Sequence, residues 1–208
     1  MTVLALPLLE DVCVDRVAGA IAHALHDDPI LSYWIKSSRR FDTLLRMYSE
    51  RLRRRESTGQ VLLIGDFAAI AIATEVGFRS LDWIRVFCRL LEVVGIGRVR
   101  LLPLLLCSFS LRKENLLQRA LYLEAIATSE EYRNRGYAGR LLSALEDESE
   151  RLNLPLVCET HDGILRSMLQ SRRWVRIERM VSPFEDHRFD IMIFWPTSGS
   201  RDSIGPPH

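Results

Sequence analysis

Lysine is almost missing from this 208-residue chain: Lys36 and Lys113 are the only two, and the rest of its 28 basic side chains are arginine. That bias carries no functional argument. The 27 acidic residues leave a formal net charge of +1, which excludes a protein that coats nucleic acid through bulk charge. Cys13, Cys88, Cys107 and Cys158 form no C-x-x-C pair and have no histidine at ligand spacing, so no metal site is expected. Four scattered cysteines predict reduced thiols and a cytoplasmic protein. Long uncharged apolar runs are absent too. The most apolar stretch, from Ile84 to Phe109, is broken by Arg85, Arg89, Arg98 and Arg100. A membrane span needs roughly 18 uninterrupted apolar residues, so no membrane partner is expected. The opening MTVLALPLLEDVCVDR lacks the basic leader and small-residue cleavage site of a secretory signal. No internal repeat is present, and neither G-x-x-x-x-G-K-[ST] nor G-x-G-x-x-G occurs.

What remains is ordinary globular composition, 48% hydrophobic and 26% charged. At this length about 70% of the unfolded chain's surface can be buried. The spacing of Val14, Val17, Ala18, Ile21, Ala22 and Leu25 predicts a helix from Asp11, stopped at Asp27-Asp28-Pro29. A second helix is expected from about Phe41 to Arg55. Its terminal run, Arg51, Arg53, Arg54 and Arg55, reads as a solvated offset to the helix dipole rather than a phosphate contact. Val61–Ile64 and Ala68–Thr74 around Gly65-Asp66 predict a β-hairpin, and Ser80–Val94 and Leu101–Ala120 two further helices. A strand Leu121–Ala127 follows, then a helix opened by Arg135-Gly136, a strand Pro155–Glu159 and a helix from Ile164 to Arg172. Strands Trp174–Val181 and Phe189–Trp195, joined by a turn at Pro183–Asp186, close the order. The result is one mixed α/β (α+β) domain over residues 1–196, with a mobile tail at 197–208. Its parts are a largely helical 11–120, a core at 121–174 and a hairpin at 174–195.

The segment YLEAIATSEEYRNRGYAGRLL concentrates the chemistry. A strand runs into a polar turn, and Arg133-Asn134-Arg135-Gly136-Tyr137-Ala138-Gly139 enters a helix. The first amides of a helix have no intrahelical acceptor and carry partial positive charge, which suits an anion. Gly136, Ala138 and Gly139 let the main chain come close to a phosphate, and Arg133, Arg135 and Arg140 add charge at the same point. The pattern predicts a diphosphate site. A capped helix with exposed arginines is the plainer reading of the same residues.

R-x-x-G-x-A between this strand and this amphipathic helix resembles the acetyl-CoA loop of the GNAT N-acetyltransferase superfamily. PLVCETHDGILRSMLQSRRW is similar to that superfamily's next strand and helix, an L-E-T followed at a distance by Y-x-x-x-G-F. The opening AIAHALHDDP resembles the puromycin N-acetyltransferase-like branch. The resemblance implies a GNAT fold, a mixed and mostly antiparallel sheet splayed between two strands and flanked by helices. It also implies acetyl-CoA, or another acyl-CoA, as cofactor. The main chain of Ile126, Ala127 and Thr128 would pair with the pantetheine arm, and the amides of Arg133 to Ala138 would hold the pyrophosphate. The acceptor implied is the amine of a small molecule, attacked directly in a ternary complex. A homodimer is compatible with the sequence, which does not fix the oligomeric state.

An amine attacks a thioester only when neutral, so a carboxylate must take its proton, a step worth about 10²–10⁴-fold. Glu159 matches the Glu of L-E-T and is favoured as that base; its structural alternative is to cap the next turn. Glu124, inside an apolar strand, is the second candidate, with arginine pairing or solvent as its alternative. Tyr122 shares Glu124's strand face by the two-residue period and lines the site or packs, as does Trp34 after the Asp-Asp-Pro break. His161 reads as a surface loop residue. The family's thiolate-protonating tyrosine falls on Leu169, its G-F pair on Arg173-Trp174, and its asparagine on Leu165. Those departures keep a second reading open, a GNAT-like protein that binds CoA or another ligand without standard transfer.

Overall fold

The computed structural model describes residues 2–5, 11–28, 31–32, 35, 37–53, 59–77, 119–181 and 188–197. These form strands β1 (Thr2–Ala5), β2 (Gly59–Ile64), β3 (Ala69–Gly77), β4 (Arg119–Thr128), β5 (Leu156–Thr160), β6 (Val175–Val181) and β7 (Arg188–Phe194). The helices are α1 (Asp11–Ala24), α2 (Ser37–Arg53), α3 (Tyr137–Leu152) and α4 (Gly163–Gln170). The hydrogen-bonded strand order is β1-β2-β3-β4-β5-β7-β6. The β1–β2, β2–β3, β5–β7 and β6–β7 pairs are antiparallel. The β4–β5 pair is parallel, through Leu121–Leu156 and Tyr122–Val157. This is a mixed sheet with helices on it, as expected.

Two compact units make up the described chain, one of residues 1–75 and 123–144, the other of 76–77, 119–122 and 145–197. Both β4 and α3 contribute to each. In the first unit, α1 and α2 bury Val17, Ala18, Ile21, Leu44 and Leu52 against Val61 and Leu63 of β2, Ile70 and Ile72 of β3, and Ala125 and Ala127 of β4. Full burial of each large aliphatic side chain contributes about 1.5–3 kcal/mol, more than these helices' intrinsic propensities. The β2–β3 turn needs left-handed backbone at Gly65 (φ 61°) and Phe67 (φ 62°). Arg16 secures the turn by stacking 4.0 Å from the Phe67 ring centroid and pairing with Asp66 at 2.7 Å. In the second unit, Leu145 of α3 and Leu169 of α4 are buried, as are Leu156, Val157 and Cys158 of β5 and Ile191 to Phe194 of β7.

Three boundaries differ from the sequence reading. Thr2–Ala5 is a strand, paired antiparallel with Gln60–Leu63; four residues before a proline carry too little pattern to announce themselves. The expected helix ending at Ala120 does not reach that far, because Arg119 and Ala120 open β4. The Leu121 amide donates to Pro155 O at 2.9 Å, and such ladder bonds override helical spacing. Helix α2 begins four residues earlier than read. The expected helices at 80–94 and 101–118, the turn at 183–186 and the tail from 198 lie outside the described residues.

Candidate active site

The end of β4 is fastened before the turn begins. Ser129 donates its amide to Ala68 O at 3.0 Å and its hydroxyl to Phe67 O at 3.2 Å. A 3-10 turn over Glu130–Tyr132 then brings the Arg133 amide to Glu130 O at 3.2 Å. Asn134 (φ 61°) and Gly136 (φ 76°) are both left-handed, and they swing the chain into α3. A Cβ at Gly136 would meet no atom within 4 Å, so backbone conformation rather than space requires glycine there. The Arg140 amide donates to Gly136 O at 3.1 Å. Gly136 is therefore the residue before the helix, and the amides of Tyr137, Ala138 and Gly139 are its first-turn donors. The first turn carries no acidic side chain that would compete for them.

Arg133, Asn134, Arg135, Gly136 and Arg140 are exposed around this helix mouth. The Arg135 guanidinium lies 5.3 Å from the Tyr132 ring centroid, and Arg140 lies 5.9 Å from that of Tyr137. The two tyrosine rings are 6.2 Å apart. The loop can thus present main-chain donors and three guanidinium groups to an anion. Ile126 and Thr128 are half-buried and Ala127 is buried.

Glu124 is half-buried on the same strand and tied to α2. Arg51 Nη2 donates to Glu124 Oε1 at 2.6 Å, Arg51 Nε to Oε2 at 3.3 Å, and Arg51 Nη2 also reaches Thr74 Oγ1 at 3.2 Å. Tyr48, buried on α2, has its phenol pushed up first by burial and then by the charges of Glu124 and Asp28. Arg51 is thus not the solvated end of a basic run, and Arg53 likewise pairs with Asp15 at 2.7 Å. Arg54 and Arg55 lie outside the described residues. The arginine pairing read as Glu124's alternative is what the structure shows; which arginine, and the presence of Thr74 and Tyr48 nearby, were not read from the sequence. The usable signal was the need of a carboxylate in an apolar strand for a cation.

Glu159 belongs to the second unit. It is exposed on β5, opposite Ile191 of β7. The cap of α4 is Asp162, whose Oδ1 accepts the Ile164 amide at 2.9 Å. Cys158, beside Glu159, is buried, and burial followed by the Glu159 charge pushes its thiol up to about 12. It is a protonated core residue. Tyr122 is half-buried in the β4–β5 ladder, His161 is half-buried just past β5, and Trp34 lies outside the described residues.

Leu169, where the resemblance places a tyrosine, is 0% exposed. Arg173, where it places a glycine, is left-handed at φ 64°, and the Trp174 amide closes back onto Leu169 O at 3.3 Å. The backbone keeps the glycine conformation although the side chain has changed. Trp174 Nε1 and Arg172 both hold Glu146, at 2.8 Å for Trp174 Nε1–Oε1 and Arg172 Nη2–Oε2. Among the described residues no group of three or more His, Cys, Asp or Glu is placed to hold a metal. No described helix is long and apolar enough to cross a membrane.

This strand order is shared with solved structures of the GNAT fold. Residues 87–167 match the model of the acetyltransferase (GNAT) family. The chain is similar in structure to histone acetyltransferase HPA2 and related acetyltransferase from Corynebacterium glutamicum, at 14% identity over 96% of this chain and 98% of that one, TM-score 0.68. It is also similar to arylalkylamine N-acetyltransferase 2 from Aedes aegypti, at 10% identity over 93% and 98%, TM-score 0.65. A third similar structure is the Drosophila melanogaster polyamine N-acetyltransferase, at 12% identity over 93% and 99%, TM-score 0.62. No curated protein matches the chain.

Proposed function

We propose that this protein is an acyl-CoA-dependent N-acetyltransferase that acylates the amine of a small molecule. The observation that carries the proposal is the β4–α3 turn: left-handed Asn134 and Gly136 lead into a helix whose first-turn amides have no intrahelical acceptor, and Arg133, Arg135 and Arg140 are exposed along the same segment. Pyrophosphate is the group that such a set of donors neutralises best. Acetyl-CoA would supply the activated acyl group. In this reading the amides of Tyr137 to Gly139 hold the diphosphate, Arg133, Arg135 and Arg140 balance its charge, and the main chain of Ile126 to Thr128 pairs with the pantetheine amides as one more strand.

Glu159 is the proposed base. The acceptor nitrogen gives its proton to the Glu159 carboxylate, directly or through water, and bonds to the thioester carbonyl carbon. The carbon–sulfur bond then breaks, and the thiolate leaves with its electron pair to be protonated by solvent. Glu124 is the weaker candidate, because accepting a proton would exchange its two-point pair with Arg51 for a neutral acid beside a guanidinium. Direct transfer is favoured over a covalent intermediate, since the buried Cys158 thiol is no nucleophile at neutral pH. The polyamine and arylalkylamine enzymes of similar fold support a small amine as acceptor. The puromycin-like branch rests on Ala20–Pro29 alone, and the fold favours no branch.

A second reading, cofactor binding without transfer, is favoured by one observation, the complete burial of Leu169 where a proton donor would stand. Thermal unfolding with acetyl-CoA tests the shared part, with about 2.7 kcal/mol of stabilisation expected at 100 times Kd. Thiol release across a panel of amines then separates the two. Failure to bind acetyl-CoA at millimolar concentration defeats both.

A further inference from the structure

Asp190, on β7 in the second unit, is the most enclosed charge among the described residues. Its side chain is 1% exposed, yet three arginines reach it. Arg179 of β6 grips it side-on, Nε to Oδ1 at 2.8 Å and Nη2 to Oδ2 at 3.4 Å, and Arg166 of α4 places Nη1 3.0 Å from Oδ2. Arg176 of β6 holds Nη1 at 3.8 Å from Oδ1, an ion-pair distance that adds no hydrogen bond. Three guanidinium groups thus share one carboxylate.

The anion lies inside and the cations face out, with the arginine side chains 33–42% exposed. Among the described strands, β6 is the last in the sheet order. Asp190 is already satisfied by Arg179 and Arg166. Arg176 is held near two like charges without a hydrogen bond to the carboxylate they share, an arrangement that a second anion would relieve. Guanidinium forks match phosphate oxygens two at a time, and charged hydrogen bonds of this type are about twice as strong as neutral ones.

We propose that Arg166, Arg176 and Arg179 form a binding site for a phosphate-type oxyanion, free or as a monoester, with Asp190 as the internal counter-ion that holds the three together. The site does not depend on the transferase reading and uses none of its residues.

The test is thermal unfolding of the full chain in inorganic phosphate against chloride at matched ionic strength. A saturable rise of about 3–5 °C at ten times Kd is expected in phosphate only. Glycerol 3-phosphate serves as the second probe: equal affinity assigns the site to esters as well, and a response to phosphate alone restricts it to the free ion. Arg176→Gln, which removes the least engaged arginine, should fold normally and weaken the response at least tenfold. Asp190→Asn, if it folds, should depend more steeply on phosphate than the wild type. Identical unfolding in phosphate and chloride overturns the proposal, as does an unchanged response in Arg176→Gln.

Discussion

Changing Glu124 and Glu159 separately to glutamine divides stability from catalysis. Glu124 is held at two points by Arg51, and its side chain is 16% exposed against 34% for the arginine. Exposed pairs contribute about 0–1 kcal/mol, and breaking a fully buried one costs 3–5. The half-buried pair lies between. Glutamine keeps one carbonyl oxygen for Arg51 but leaves the guanidinium without a counter-charge, so Glu124→Gln should cost about 1–2 kcal/mol. That corresponds to a fall of about 3–6 °C in Tm for a chain this long. Arg51→Met is the harsher change, because it strands a carboxylate beside buried Tyr48, and about 2–3 kcal/mol is expected. The double variant should recover about 1–2 kcal/mol relative to the sum, measured by urea unfolding as a double-mutant cycle. Turnover by Glu124→Gln, followed as thiol release, should stay within a few-fold of wild type.

Glu159→Gln should show the opposite. As an exposed strand residue it should shift stability by no more than about 1 kcal/mol, the range of an exposed charge interaction, while turnover falls by about 10²–10⁴-fold. The reasoning fails if Glu124→Gln abolishes turnover with Tm unchanged, or if Glu159→Gln is fully active.

Leu169→Tyr should not restore a missing acid. A fully buried position has no room for a ring and hydroxyl, and overpacking costs about 1–3 kcal/mol, so a lower Tm without faster turnover is expected. Cys158 should resist alkylation by iodoacetamide and carry no acetyl group after turnover, as read by mass spectrometry, because its thiol is pushed up to about 12. Acid stability should depend on Asp190. Burial raises its carboxyl, but the hydrogen bonds from Arg179 and Arg166 and the charges of Arg179 and Arg176 outweigh that and hold it below the usual range. A folded value below the unfolded one, about 3.9, gives a contribution present above that pH and lost as pH falls further, so Asp190→Asn should flatten the acid limb below about pH 4. Arg173→Gly removes a left-handed arginine, a gain of about 1 kcal/mol, and loses an exposed contact to Glu150 and the stacking 5.0 Å from the Phe194 ring centroid. The two nearly cancel, and a Tm change beyond about 3 °C either way would contradict that balance.

Much of the fold was legible in the residues alone because it rests on local signals. Val14 to Ala22 and Leu141 to Leu145 announce helices by the spacing of what they bury, and the β2–β3 hairpin by two apolar runs around a left-handed glycine. The turn from Arg133 into the helix was readable for the same reason: it is set by consecutive residues, and Gly136 marks where the backbone turns left-handed. Side-chain partnerships across the sheet were not readable. Nothing in the run Arg51 to Arg55 says that one arginine crosses to Glu124, 73 positions away, while another takes Asp15. Neither does VRIERMV reveal that two of its arginines converge with Arg166 on a carboxylate of the next strand. Local conformation follows from chain stiffness and from which faces must leave water, both of which act over a few residues. Ion pairing is decided by distance in space, which strand order and helix packing set only once the chain has closed.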